Sequence, residues 1–192
     1  MIVEDNGVGD VSNVLGSVAY SGNVDSYFVP FATRLTEPIL GSNVSPSVDL
    51  ASIQVGGGAN NSSIVIEFSD TDFFASGPTI DLPSLIGGTT NGTIQYQTFG
   101  SLSNDLFETD ILIFDSGFPG PRAFSFTDFA TIALAGTYSL TAVVTITHDA
   151  AVTNSSFNAT IEISEPVLIP LTTLSGLLFI AGFAARRRQR RH

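Results

Sequence analysis

Up to about residue 163 the chain alternates short apolar segments with clusters of Gly, Pro, Asn, Asp, Ser and Thr, and no stretch sustains a 3.6-residue period. That pattern predicts strands joined by turns. Period-two alternation runs around residues 14–20 and again at Tyr27, Val29, Phe31, Thr33 and Leu35. Pro30 marks the second as an edge or bulged strand, because proline has no amide to give to a ladder. Ala51, Ile53 and Val55 share one face of a strand that stops at Gly56-Gly57-Gly58, and Ile64, Ile66 and Phe68 share a face after Asn60-Asn61, which predicts a long hairpin. Residues 70–83 read as a loop region. Further strands are expected at Ile94, Tyr96 and Thr98, at 111–114 and at 124–128, the last two separated by Phe118-Pro119-Gly120-Pro121.

The clearest alternation comes last in this region. Tyr138, Leu140, Ala142, Val144, Ile146 and His148 oppose Ser139, Thr141, Thr145, Thr147 and Asp149, and Phe157, Ala159, Ile161 and Ile163 oppose Ser156, Asn158, Thr160 and Glu162. The two read as a terminal hairpin that buries Tyr138, Leu140, Val144, Ile146, Phe157 and Ile161 in one core. Eight or nine short strands with dense turn residues predict a mainly β domain over 1–163, a two-layer antiparallel β-sandwich of jelly-roll kind.

At residue 164 the pattern changes. From Leu168 to Ala185 there are 18 residues without a charge. As a helix at about 1.5 Å per residue they span about 27 Å, close to the hydrocarbon thickness of a bilayer, about 30 Å. Arg186, Arg187, Arg188, Arg190 and Arg191 follow directly. Arginines placed so resist translocation, which predicts a single C-terminal transmembrane helix over 168–185 in contact with membrane lipid, its arginine cluster inside and the β domain outside the cytoplasm. The start, Met1 to Gly7, has neither a basic region nor an apolar run of signal-peptide length. It reads as a strand running into a turn, so the natural start is expected upstream.

Ser164-Glu165-Pro166, the apolar helix and the closing arginines occur in an order that resembles the PEP-CTERM sorting signal of bacterial surface proteins. The resemblance implies processing by exosortase, a membrane-embedded cysteine protease-transpeptidase that recognises Pro-Glu-Pro and removes the helix. Glu165 and Pro166 match that motif, and Ser164 stands where its first proline is expected. The course Val48 to Ile53, Phe68 to Phe73, Tyr138 to Thr141, Thr145 to His148 and Ser156 to Ala159 is similar to bodies found ahead of such tails, a likeness that implies no activity.

Charge narrows the partners. Arg34 and Arg122 are the only basic residues before the arginine cluster, against 18 Asp and Glu, so residues 1–185 carry 2 − 18 = −16 and the whole chain −11. Such a body repels nucleic acid and anionic lipid. Cysteine is absent, which excludes disulfides, zinc-thiolate sites and a cysteine nucleophile.

Catalytic candidates are few. His148 falls on the apolar face of its strand, where a hydrogen-bonded core histidine is the plainer reading, and lysine and a Gly-x-Ser-x-Gly elbow are both missing. Glu67, Asp70 and Asp72 place carboxylates close enough to offer hard oxygen ligands to calcium, and 5–10 offers a second partial arrangement. Solvated turn residues explain both as well. Phe73, Phe74 and Phe118 are read as loop aromatics and are the residues to examine for ligand contact.

Together these features point to an exported, non-catalytic protein of a bacterial cell envelope or extracellular matrix, without a cofactor unless calcium binds. A carbohydrate-binding module acting on extracellular polysaccharide is the second reading. A hydrolase is the third, and it lacks a residue cluster to carry it.

Overall fold

The computed structural model describes residues 1–58, 61–149 and 153–163, without the side chain of Phe31. The Ser164-Glu165-Pro166 motif, the helix expected over 168–185 and the five clustered arginines lie outside the described residues. Among those described, no helix is long and apolar enough to cross a membrane.

The described chain is all strand and turn. Its elements are β1 (Ser17–Val24), β2 (Tyr27–Leu35), β3 (Gly41–Ser42), β4 (Ser45–Gly57), β5 (Ser62–Ala75), β6 (Ile80–Thr90), β7 (Thr93–Ser101), β8 (Ile111–Asp115), β9 (Arg122–Ile132), β10 (Gly136–His148) and β11 (Asn154–Glu162). They form two antiparallel sheets. The larger, of seven strands, runs β1-β2-β4-β11-β6-β9 with β3 attached to β4, and the smaller, of four, runs β5-β10-β7-β8. From β4 onward the chain crosses between β4-β11-β6-β9 and β5-β10-β7-β8 at every connection except β7 to β8, which is the winding of a jelly roll. β1 and β2 widen the larger sheet at one edge.

The core lies between the sheets, as the alternation predicts. Tyr138, Leu140, Val144, Ile146, Phe157 and Ile161 are all buried and share one cluster with Leu50, Ile53, Phe73, Leu82 and Tyr96. β10 and β11 do not pair as a hairpin, however. β10 lies between β5 and β7, and β11 lies between β4 and β6 in the other sheet. β4 and β5 likewise belong to different sheets, not to one long hairpin. Each strand turns the same inward face to the core whichever sheet it joins, so the alternation marks the buried residues without choosing the partner strand.

Two bulges explain where the alternation misleads. In β4, Ile53 pairs with Phe157 but Leu50 with Ala159, so Ala51 and Ser52 together oppose Asn158. Ser52 adopts a φ of 56°, and its amide donates to Asn158 Oδ1 at 2.6 Å. In β5, Phe73 pairs with Tyr138 but Asp70 with Leu140, and Asp72 sits at φ 65° between them. An extra residue reverses which parity faces the core. Residues 70–75 are therefore strand, and the loop expected over 70–83 shrinks to the four residues between β5 and β6. β2 is bulged as Pro30 requires, with register shifts on both sides of Phe31, and it is interior, not an edge strand.

Candidate functional site

The outer face of the larger sheet carries the most site-like arrangement. In β2, Tyr27 and Val29 turn into the core, and the Tyr27 hydroxyl donates to the Ser62 carbonyl. Phe28 therefore points outward, 50% exposed. Strand register places Phe28 opposite Asn23 of β1 on one side and Gly56 of β4 on the other, and Gly56 opposite Asn154 of β11. Asn91, just past β6, completes the row: its backbone amide donates to the Asn154 carbonyl at 3.1 Å and its Nδ2 to Asn154 Oδ1 at 2.9 Å. One aromatic ring thus shares a line with three asparagines. The adjoining row holds Gln54, Ser156 and Thr89, and the next Asn158, Gly87 and Ser125.

Between Phe28, Pro30, Gln54, Gly56, Asn154 and Ser156 lies a shallow groove of about 380 Å³. Gly56 lines it without a side chain. A Cβ at Gly56 would meet nothing closer than the Phe28 carbonyl oxygen at 3.9 Å, and one at Gly87 nothing closer than the Phe124 carbonyl oxygen at 3.7 Å. Neither position requires glycine for space or for a positive φ, yet each weakens a central strand by omitting a side chain. Gly88 differs: a Cβ there would collide with the Ser156 carbonyl and with Phe157. Gly56 leaves backbone bare opposite the Phe28 ring, among neutral amides and hydroxyls. Such a surface offers stacking to an apolar C–H face and paired donors and acceptors to hydroxyl groups.

The opposite face of the sandwich is polar in a different manner. Glu67, Val143, Gln97 and Asp115 form a row across all four strands of the smaller sheet. Gln95 Nε2 donates to both oxygens of Asp115, at 3.1 and 3.0 Å, and Gln97 Nε2 to Oδ2 at 2.9 Å. Those amides are committed to a carboxylate already.

The residues singled out by sequence are dispersed. Phe73 is wholly buried against Tyr138, with ring centroids 5.9 Å apart, and is a core residue on β5, not a loop aromatic. Phe74 is 43% exposed, also on β5. Phe118 is 65% exposed in the turn after β8, as expected. Phe74 pairs with Thr137, whereas Pro119 accepts from Ile94, the partner of Ile146. The nine residue steps from Thr137 to Ile146 set these two ends about 30 Å apart, at about 3.4 Å per residue, so no aromatic platform forms from them.

The carboxylates diverge too. Glu67 faces outward, Asp70 pairs with Arg34 and accepts from the Thr36 hydroxyl, and Asp72 is matched with Asn104, which accepts from the Asp72 amide and donates to its carboxylate, each at 2.8 Å. Among the described residues, no three acidic or histidine side chains converge as a metal site would need. Glu37, nearby, has its carboxyl pushed above the usual range by burial and by the charges of Asp70 and Asp72. At the N-terminus Asp5 accepts from the Gly16 amide at 2.6 Å, and Asp10 accepts from the amides of Asn6, Ser12 and Ala19 at 3.0, 2.9 and 2.8 Å. Burial alone would raise Asp10, but these three bonds outweigh it and hold the carboxyl below its ordinary value. His148 is a satisfied core residue. It is fully buried, with Nδ1 2.6 Å from the Gly57 carbonyl oxygen and its ring against Tyr27.

No protein-family model and no curated protein matches the chain. Several solved structures do. TmCBM61 in complex with β-1,4-galactotriose aligns at 12% identity and a TM-score of 0.29, over 79% of this chain and 90% of that one. A point mutant of CBM29-2, a family 29 carbohydrate-binding module, aligns at 6% and 0.24, over 79% and 99%. Arthrobacter globiformis isomalto-dextranase complexed with panose aligns at 12% and 0.28, over 78% of this chain and 24% of that one.

Sequence reasoning missed Phe28, Gly56, Asn91 and Asn154. One signal was available: Phe28 is a large aromatic on the polar parity of a strand whose Tyr27 and Val29 face the core.

Proposed function

We propose that the β-sandwich is a non-catalytic binding module for neutral glycans, working through the groove around Phe28. The observation that carries this reading is the half-exposed Phe28 ring opposite the unforced Gly56, in line with Asn23, Asn154 and Asn91. A sugar ring has apolar C–H faces and a rim of hydroxyls, and this row meets both. The excess of acidic residues over basic ones favours an uncharged polysaccharide over an anionic one.

The module is displayed, in this reading, at a bacterial cell surface. The support is the order of Glu165-Pro166, apolar helix and arginine cluster, which resembles an exosortase-processed tail. Mass spectrometry of the C-terminal peptide from the native host tests that part: Arg186 to His192 are absent after processing and retained when Glu165 and Pro166 are both alanine.

The glycan reading is tested on an array of neutral β-glucan, galactan and xylan oligosaccharides beside alginate and hyaluronan, followed by calorimetry. Binding to a neutral set that Phe28→Ala weakens at least tenfold supports it. No neutral ligand, or an undiminished affinity in Phe28→Ala, overturns it.

A further inference from the structure

A second cavity, unrelated to the groove, lies at the open side of the sandwich. β1 ends the larger sheet and β5 ends the smaller one, and between these two edge strands is a space of about 520 Å³, within the range of about 300–1,000 Å³ usual for small-molecule sites. Its walls are apolar: Val18 and Val29 from one sheet, Ile64 and Phe68 from the other, with Ile2 of the N-terminal segment along the mouth. Arg34 also lines it and is 7% exposed. Its Nη2 is ion-paired with Asp70 Oδ2 at 3.0 Å, and that oxygen also accepts from the Thr36 hydroxyl. Among the described residues, Nε of Arg34 has no hydrogen-bond acceptor.

A buried N–H without an acceptor is an uncommon feature that calls for an explanation, and an oxygen on a ligand would supply it. The charge of that ligand follows from the neighbours. Asp70 already balances the charge of Arg34, so an added carboxylate would bring a charge that this ion pair does not compensate. We propose that this cavity binds an uncharged amphiphile, such as a long-chain alcohol or ester, with its apolar body between β1 and β5 and its oxygen accepting from Arg34.

The test titrates the full-length chain, kept in amphipol, with 1-decanol, decane and decanoate, and follows the methyl NMR signals of Val18, Val29 and Ile64. Saturable shifts are expected with 1-decanol, at an affinity at least fivefold above that of decane, and decanoate binds more weakly than the alcohol. Arg34→Lys keeps a cation beside Asp70 but removes Nε–H, and it lowers the alcohol to the affinity of decane. If that variant does not fold, Val18→Trp fills the cavity and abolishes the alcohol-induced shift of Ile64. Absence of saturable shifts, equal affinity for alcohol and alkane in the unmodified chain, tighter binding of decanoate, an unaltered preference in Arg34→Lys, or persistence of the shift in Val18→Trp overturns the proposal.

Discussion

Nε2 of His148 and Oγ of Ser155 lie 3.1 Å apart, and they join β10 of one sheet to β11 of the other through the core. The proton positions follow from the partners. Nδ1 must donate to the Gly57 carbonyl, so Nε2 accepts from Ser155, which leaves Ser155 Oγ to accept from Thr90 Oγ1 at 2.8 Å, and Thr90 in turn accepts from the Gly92 amide at 3.1 Å. His148→Ala removes a buried ring and two bonds at once, so a loss of about 3 kcal/mol is expected, and Ser155→Ala, which strands Nε2, costs about 1–2 kcal/mol. Guanidinium unfolding midpoints check both. An unchanged midpoint in His148→Ala would show that the sheets do not depend on this link.

Tyr96 and Tyr138 are fully buried with hydroxyls that have no hydrogen-bond partner among the described residues. Phenylalanine at either position removes an uncompensated polar group, and the fold gains up to about 1 kcal/mol. Burial also pushes both phenols well above their ordinary value. The unfolded chain then releases these protons near pH 10 while the folded chain keeps them. Stability is complete below that pH and falls as pH rises above it, by about 1.4 kcal/mol per unit for each tyrosine. The double Tyr→Phe variant should flatten the alkaline limb of a stability–pH curve. Identical limbs would contradict the burial of both rings.

Asp10 anchors the N-terminal segment through three amides while its carboxyl is held below its usual value. A lowered carboxyl stabilises the fold above the ordinary aspartate range, and this contribution is lost as pH falls through the lowered value. Asp10→Asn should therefore reduce hydrogen-exchange protection factors at Asn6, Ser12 and Ala19 at neutral pH, and in the unmodified chain the same three factors should drop on acidification. Protection unaltered by the substitution would assign the order of this segment to other contacts.

The glycines of the larger sheet separate packing from binding. Gly88→Ala drives a methyl into the β11 backbone and should destabilise by about 3 kcal/mol. Gly56→Ala enters open space on the outer face, and a strand gains from the exchange, by about 0.5–1 kcal/mol. Gly56→Leu should keep the fold and abolish glycan binding by filling the groove. Thermal melts beside calorimetry distinguish the two effects, and retained binding in Gly56→Leu would remove the groove from consideration.

Strand existence was legible where alternation is uninterrupted, as in β10, β11 and the Ile94–Thr98 stretch, and the burial of Tyr138 through Ile161 followed from it. Pairing was not legible. Period two records which side of a strand meets the core and says nothing about which strand lies beside it, so β10 and β11 read as a hairpin although each has its partners elsewhere. Bulges broke the signal further: past Asp72 the inward parity switches, and Phe73 reads as a loop aromatic when it is a core residue. The groove stayed hidden for a related reason. Asn23, Phe28, Gly56, Asn91 and Asn154 come from five separate stretches and meet only through register.

The position of β11 bears on how the protein is made. It is the last strand among the described residues and lies between β4 and β6, both of which emerge from the ribosome earlier. Until residues 154–162 arrive, β4 and β6 each present a free edge, and the apolar faces of Ile53 and Ile86 have no layer mate between them. In this topology the larger sheet becomes continuous only when β11 is inserted between β4 and β6. The contacts that close the sheet therefore span a long stretch of sequence, the kind that slows folding.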